Sequence, residues 1–221
     1  MKKVFLGLTV LGMIFIASCG KNAETITAGD AQEASSASQD SETFVVNTDE
    51  SSTTWRGFKF FHDATKPEVG HFGTIKIKDG ILTAKDGVLE SGKIVSDQTT
   101  LVSDDLADDP EGKGKLEGHL KSPDFLNVDQ FPNATFEISK VTPLTDGDYN
   151  TEISGNLDFR GVPKNITFKA NVKMDGEKLI IQSEEFTINR QDFGVNFAPK
   201  NDSVIKDEVV LQLDIKADRQ A

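Results

Sequence analysis

In the stretch NITFKANVKM, apolar Ile166, Phe168, Ala170, Val172 and Met174 alternate with Thr167, Lys169, Asn171 and Lys173. A period of two sorts side chains onto opposite faces of a β-strand, so this segment has one apolar face and one wet face. The pattern recurs in EVVLQLDIK (Val209, Leu211, Leu213, Ile215), in EISGNLDFR (Ile153, Gly155, Leu157, Phe159) and in TIKIK (Ile75, Ile77). Turn signals stand between the runs: Asp79-Gly80, Asp86-Gly87, Asp146-Gly147, the GVPK segment at 161–164 and Asp175-Gly176. Asp-Gly pairs supply the positive φ that tight hairpins need.

Strands joined by such short turns are antiparallel neighbours, because a parallel crossover takes about a dozen residues or more. About eight of them, each with one apolar face, can close into an antiparallel, up-and-down β-barrel that leaves no unpaired edge. A two-sheet sandwich is the architecture that pattern alone leaves as the alternative. An eight-stranded barrel is wide enough either to be filled by its own side chains or to hold one small ligand. Inward-facing Gly155 and Ala170 bear on which of these applies. One segment breaks the alternation. Leu116 and Leu120 stand one helical turn apart, ahead of Ser122-Pro123-Asp124-Phe125. This predicts a short helical excursion over 110–127, with Ser122 as an N-cap, Pro123 at the first helical position and Asp124 at the positive end of the dipole.

The chain begins MKKVFLGLTVLGMIFIASCG. Two lysines, an apolar run too short for a spanning helix and a small-residue site are the features of a secretory signal. Ile16-Ala17-Ser18-Cys19 resembles a lipobox, so 1–18 is read as a lipoprotein signal peptide and Cys19 as the acylated residue, palmitate being one expected acyl group. Residues 20–41 are rich in Ala, Ser, Gln, Asp and Glu. They read as a flexible linker able to hold a domain several tens of ångströms from a membrane at about 3.3 Å per residue. The divisions are therefore 1–18, 19–41 and a barrel domain of 42–221. The expected location is the cell envelope, lipid-anchored and facing the periplasm, at the outer membrane.

The formal net charge of −12 argues against nucleic acid, whose phosphates require Lys and Arg. The single cysteine excludes an internal disulfide. His119, Ser122 and Asp124 invite comparison with a hydrolytic triad, but a Ser122 that caps a helix is already occupied, and no GxSxG elbow is present. His62, His71 and His119 match no zinc template, and the acidic run at 104–111 lacks a calcium-loop pattern. The residues call for no catalytic group, no metal and no cofactor. A carboxylate pair remains open among 36 acidic residues.

Three segments resemble the YceI-like family of secreted, lipocalin-like barrels that bind polyisoprenoids. His119-Leu120-Lys121-Ser122 with Asp124-Phe125, Phe131-Pro132 and Thr135-Phe136 is similar to its helix-to-strand signature. GNLDFRGVPKNITF (155–168) and FTINRQDFGV (186–195) resemble its hairpin and its R-x-D-[FW]-G motif. Leu126-Asn127 departs from the family's usual Phe-Asp, and the segment from Trp55 to Leu82 matches only loosely. The resemblance implies a lipocalin-like barrel without catalytic activity that binds, stores or carries a polyisoprenoid, quinone-like or other long-chain lipid. The expected apolar tunnel is lined by Ile153, Leu157, Phe159, Ile166, Phe168, Ala170, Val172, Leu211 and Leu213. Arg160 and Arg190 are candidates either for the ligand head or for ion pairs at the barrel end, with Asp192 or Asp124 facing Arg190. An adaptor lipoprotein with a filled barrel is the alternative, and a homodimer is left open.

Overall fold

A computed structural model describes residues 24–200 and 202–220. The expected signal peptide and Cys19 lie outside the described residues. The strands are β1 (Glu24–Thr25), β2 (Gly29–Asp30), β3 (Glu42–Val46), β4 (Ser52–Phe61), β5 (Val69–Lys85), β6 (Val88–Asp97) and β7 (Val102–Ser103). Helix α1 (Pro110–Lys121) follows, and then β8 (Asn133–Pro143), β9 (Thr151–Phe159), β10 (Val162–Asp175), β11 (Lys178–Ser183), β12 (Phe186–Asn189), β13 (Ser203–Ile205) and β14 (Glu208–Arg219).

A ring of 8 strands runs β4–β5–β6–β8–β9–β10–β11–β14 and closes where β14 pairs β4, with Val210 opposite Arg56 and Asp214 opposite Ser52. Every step in it is antiparallel. The sandwich alternative is thereby excluded. Two positions of the ring are shared. The short strand β3 continues the place of β4 between β14 and β5, and β12 continues that of β11 along β14.

The turns show which signals act. Asp86 and Gly87 have φ of 51° and 79°, and Arg160 and Gly161 have φ of 58° and 75°. Two successive positive values reverse the chain in two residues. The second reversal falls one residue earlier than GVPK suggests, because Val162 already belongs to β10. Asp79-Gly80 is not a turn. It lies inside the long strand β5, where the register against β6 slips between Ile77 and Asp79. A Cβ on Gly80 would stand 2.6 Å from the Val46 side chain, so the glycine serves close packing at a bulge.

Residues 24–41, expected as a free linker, lie along the barrel wall. At the level of β12 the wall parts from β10, and the N-terminal segment occupies the gap. Glu24 and Thr25 pair with Phe186 and Thr187, Ile26 N–H donates to Thr187 O, and Gly29 and Asp30 pair with Asn165 and Lys164. Ile26 and Ala28 pack against the core. The segment then crosses β9, where Gln32 and Asn156 exchange hydrogen bonds, and reaches Ile138 O and Glu90 O through Ser35. Open strand edges accept a polar backbone without needing apolar side chains, which is why composition alone misreads it.

The core occupies one half of the barrel. Phe44, Leu82, Ile138, Ile153, Leu179 and Ile215 are fully buried there, with Ala84, Ala170 and Ala217 between them. This half is solid. At the other end the connection between β6 and β8 arches over the opening. Helix α1 starts at Asp109, whose carboxylate accepts from Gly112 N–H at 3.0 Å, with Pro110 in the first turn. Ser122 closes the helix rather than opening it. Its N–H and its hydroxyl both donate to His119 O, and Asp124 N–H donates to its Oγ at 3.3 Å. The expected N-cap reading of Ser122 fails because Asp109-Pro110-Glu111 carries the same signals at the true start.

Candidate functional site

Above the solid half lies a cavity of about 320 Å³. Its floor is aromatic. Phe168 stacks on Phe186 with centroids 4.7 Å apart and planes 6° from parallel, and Phe136 lies 5.4 Å from Phe168. Gly155 makes this floor possible, since a Cβ there would stand 2.3 Å from the Phe136 ring. The walls are the inward rows of the strands: Trp55 and Ile75, Leu157 and Phe159, Ile166, Ile188, Leu211 and Leu213. The roof is α1 with the turn after it, through Leu116, Leu120, Phe125 and Leu126. Leu116, Leu120 and Leu126 rest on Trp55, Ile75 and Leu101, and Trp55 Nε1 donates to Val102 O at 3.2 Å.

The roof is fastened by polar contacts more than by burial. No residue of α1 is buried. Lys113 Nζ donates to Ser103 O at 2.8 Å, and Ser103 N–H donates to Glu117 Oε1 at 2.8 Å. Arg160, held at positive φ in the β9–β10 turn, donates to Phe125 O and Pro123 O at 2.7 and 2.8 Å. It does not line the cavity; it ties the roof's trailing turn to the barrel.

Arg190 does line the cavity and is buried. Its guanidinium donates to Val195 O at 2.6 Å and Lys206 O at 3.3 Å, and it pairs with Asp207 at 2.8 Å. The partner is thus Asp207, not Asp192 or Asp124. Both arginines hold irregular backbone in place at the barrel mouth.

Of the expected tunnel residues, Leu157, Phe159, Ile166, Phe168, Leu211 and Leu213 face the cavity. Ile153, Ala170 and Val172 share the same inward rows but sit in the solid half, where Ala170 has no exposed surface. Depth along the barrel, not strand face, separates the two sets. Sequence reasoning missed the inward row of β4, Thr53, Trp55, Gly57 and Lys59, all of which line the cavity. Alternation counted from Trp55 would have found it, but Phe58, Phe60 and Phe61 obscure the period.

The mouth carries two imidazole–carboxylate pairs. His71 Nδ1 lies 2.8 Å from Asp105 and His119 Nε2 lies 3.0 Å from Asp124. Burial raises the Asp105 pKa, but hydrogen bonds from His71, Ser103 and the Phe72 N–H outweigh it and leave the carboxyl below its ordinary value. The His119 ring meets Phe125 and Phe197 edge-on at 5.0 and 4.9 Å. Ser122 does not complete a triad with them, because its hydroxyl donates to a backbone carbonyl. Among the described residues, no group of three or more His, Cys, Asp or Glu is placed to hold a metal ion.

The profile of the YceI-like domain matches residues 25–217, which includes most of the wall-bound N-terminal segment. A UPF0312 protein of Staphylococcus aureus (strain N315) is 33% identical over 111 residues, covering 48% of this chain and 59% of that protein. Protein YceI of Salmonella arizonae is 34% identical over 107 residues, covering 48% of this chain and 51% of that protein. The chain therefore spans little more than half the length of these relatives. Among solved structures, BcnA of Burkholderia cenocepacia superposes with a TM-score of 0.57 at 18% identity, covering 78% of this chain and 99% of that one. A polyisoprenoid binding domain from Saccharophagus degradans, implicated in plant cell wall breakdown, gives 0.53 at 13% identity, covering 80% and 98%. Both are likenesses of fold.

Proposed function

We propose that this chain, which belongs to the YceI-like family, encloses a long apolar molecule in the hollow half of its barrel, tail against the aromatic floor, and carries or stores it without chemical change. The observation that carries this reading is the cavity itself: about 320 Å³ of space walled by Phe, Leu, Ile and Trp in a barrel whose other half is solid. Ligand pockets of small proteins begin at about this size, and apolar area buried there contributes roughly 25 cal/mol per Å². A filled-barrel adaptor would need no such space. A polyisoprenoid or quinone-like chain fits a tube of this lining, and the polyisoprenoid binding domain that shares the fold supports the choice.

The anchor belongs to the same reading. With Cys19 acylated, only four residues lie between it and Glu24, a span of five chain steps, and Glu24 is already paired to the wall. The free reach is then about 17 Å at roughly 3.3 Å per residue, so the barrel sits against the envelope membrane rather than several tens of ångströms away. This proximity suits a protein that exchanges lipid with a bilayer.

Mass spectrometry of an organic extract from the protein purified from its native host tests the ligand. A long-chain apolar molecule at near one per chain is expected; an extract free of such molecules, together with failure to take up polyprenyl mixtures from detergent, contradicts the reading. For the anchor, Cys19→Ala should leave an unacylated, mis-processed precursor, and membrane fractionation and processing like those of the wild type would reject it.

A further inference from the structure

The cavity lining has a charge bias that the rest of the chain does not share. The sequence holds 36 acidic residues against 24 Lys and Arg. Among the described residues, no Asp or Glu lines the cavity, whereas Lys59, Arg190 and Lys206 do, with His71 and His119 beside them. A purely hydrocarbon ligand gives no reason for cations at its mouth.

Four of these five groups already have a carboxylate behind them. Arg190 pairs with Asp207 at 2.8 Å, Lys206 with Glu68 at 2.6 Å, His71 with Asp105 at 2.8 Å and His119 with Asp124 at 3.0 Å. Lys59 is different. It is half-buried, it follows Trp55 and Gly57 in the inward row of β4, and its ammonium lies 5.4 Å from the Phe61 ring centroid. Among the described residues, it is the cavity-lining cation without a carboxylate partner. A cation at the rim of an apolar cavity that has no carboxylate of its own is free to pair with the negative end of a ligand.

We infer that Lys59 is the head-group site of the cavity, and that the bound molecule is a long apolar chain ending in an anionic group, a phosphate or a carboxylate, rather than a neutral alcohol or quinone. This rests on the proposal that the cavity holds an apolar chain, and it specifies that chain's end. The lysine acts as a point charge, which accepts either anion without demanding a planar, two-pronged geometry. The tail lies on the rings of Phe136, Phe168 and Phe186, and the head reaches the mouth at Lys59.

The test compares matched probes on the full chain: geranylgeranyl phosphate against geranylgeraniol, and palmitic acid against hexadecanol. Affinities are read by displacement of a fluorescent apolar dye. In the wild type each anionic probe should bind about tenfold or more tightly than its neutral partner, the order expected of a charge-assisted contact in a partly dry site. The ratio should shrink with added salt, fall towards one in Lys59→Met and return in Lys59→Arg. A phosphate preference larger than the carboxylate preference identifies the head as a phosphate; equal preferences leave charge alone as the recognised feature, and both results support the site. Neutral probes binding as tightly as anionic ones, or a ratio that Lys59→Met leaves unchanged, overturns it while the apolar-chain reading stands. Failure of all four probes to bind would bring down the cavity's function and this site with it.

Discussion

Replacing Gly57 by leucine fills the cavity from its wall without disturbing the barrel. Gly57 faces inward between Trp55 and Lys59, and a Cβ added there meets no atom within 4 Å. The four side-chain carbons of leucine would occupy the place of about three ligand methylenes, and at roughly 0.8 kcal/mol for each buried CH₂ this removes about 2–3 kcal/mol of binding. At about 1.4 kcal/mol per decade, the dissociation constant should rise roughly 30- to 150-fold. Folding stability should stay level or increase, since the new side chain buries apolar surface and a strand residue other than glycine loses less backbone entropy. Gly155→Ala provides the contrast. Its Cβ would lie 2.3 Å from the Phe136 ring and 2.8 Å from Glu137 O, so it should cost about 1–3 kcal/mol through overpacking. Displacement of a fluorescent polyene fatty acid measures binding, and urea unfolding measures stability. Wild-type affinity in Gly57→Leu, or a stability loss as large as that of Gly155→Ala, would refute the hollow upper half.

Gly114 and Gly118 lie within α1, where an added Cβ meets nothing within 4 Å, so alanine at either position should stabilise the roof helix by about 1 kcal/mol; amide exchange within α1 should slow, and unchanged exchange would count against a marginally stable roof. Asp105 titrates below its ordinary value of 3.8 in the folded protein, so its contribution to stability is complete above that pH and is lost as pH falls through the lower folded value. Asp105→Asn should therefore lower stability at neutral pH and flatten the acid limb of a stability–pH curve, whereas a variant that tracks the wild type at every pH would dismiss the His71–Asp105 pair as a fastening of the mouth. Ser122→Ala removes a hydroxyl that both donates to His119 O and accepts from Asp124 N–H, and should cost about 0.5–1.5 kcal/mol in a denaturant titration. Unaltered stability combined with loss of an esterase activity would restore the catalytic reading of His119, Ser122 and Asp124.

Strand alternation made the barrel legible because each inward row, such as Leu157 with Phe159 or Leu211 with Leu213, repeats at a period only a strand produces. It could not separate Phe168 from Ala170. Both face inward on β10, and whether the space before each is empty depends on what distant strands bring to the same depth: Phe44, Leu82 and Leu179 fill the lower half, while α1 only arches over the upper half. Local signals misled where tertiary context outbid them. Asp79-Gly80 has turn composition but lies in a bulge of β5, and Ser122-Pro123-Asp124 has the appearance of a helix start although the helix ends there. Arg160 and Arg190 stand in recognisable motifs, yet their partners, Phe125 O, Pro123 O and Asp207, are 35, 37 and 17 residues away and cannot be read from spacing. Lys59 is in plain alternation with Trp55, but Phe58, Phe60 and Phe61 beside it mask the period.

The central claim is that a long apolar chain occupies the upper half of the barrel in one orientation. A crystal structure of the protein purified with its native ligand tests it most directly. The account predicts continuous elongated density that starts on the rings of Phe136, Phe168 and Phe186, passes Trp55 and Leu211, and ends beside Lys59. A cavity holding only ordered water in protein that has been incubated with polyprenyl lipids, or density with its polar end on the aromatic floor, would contradict it.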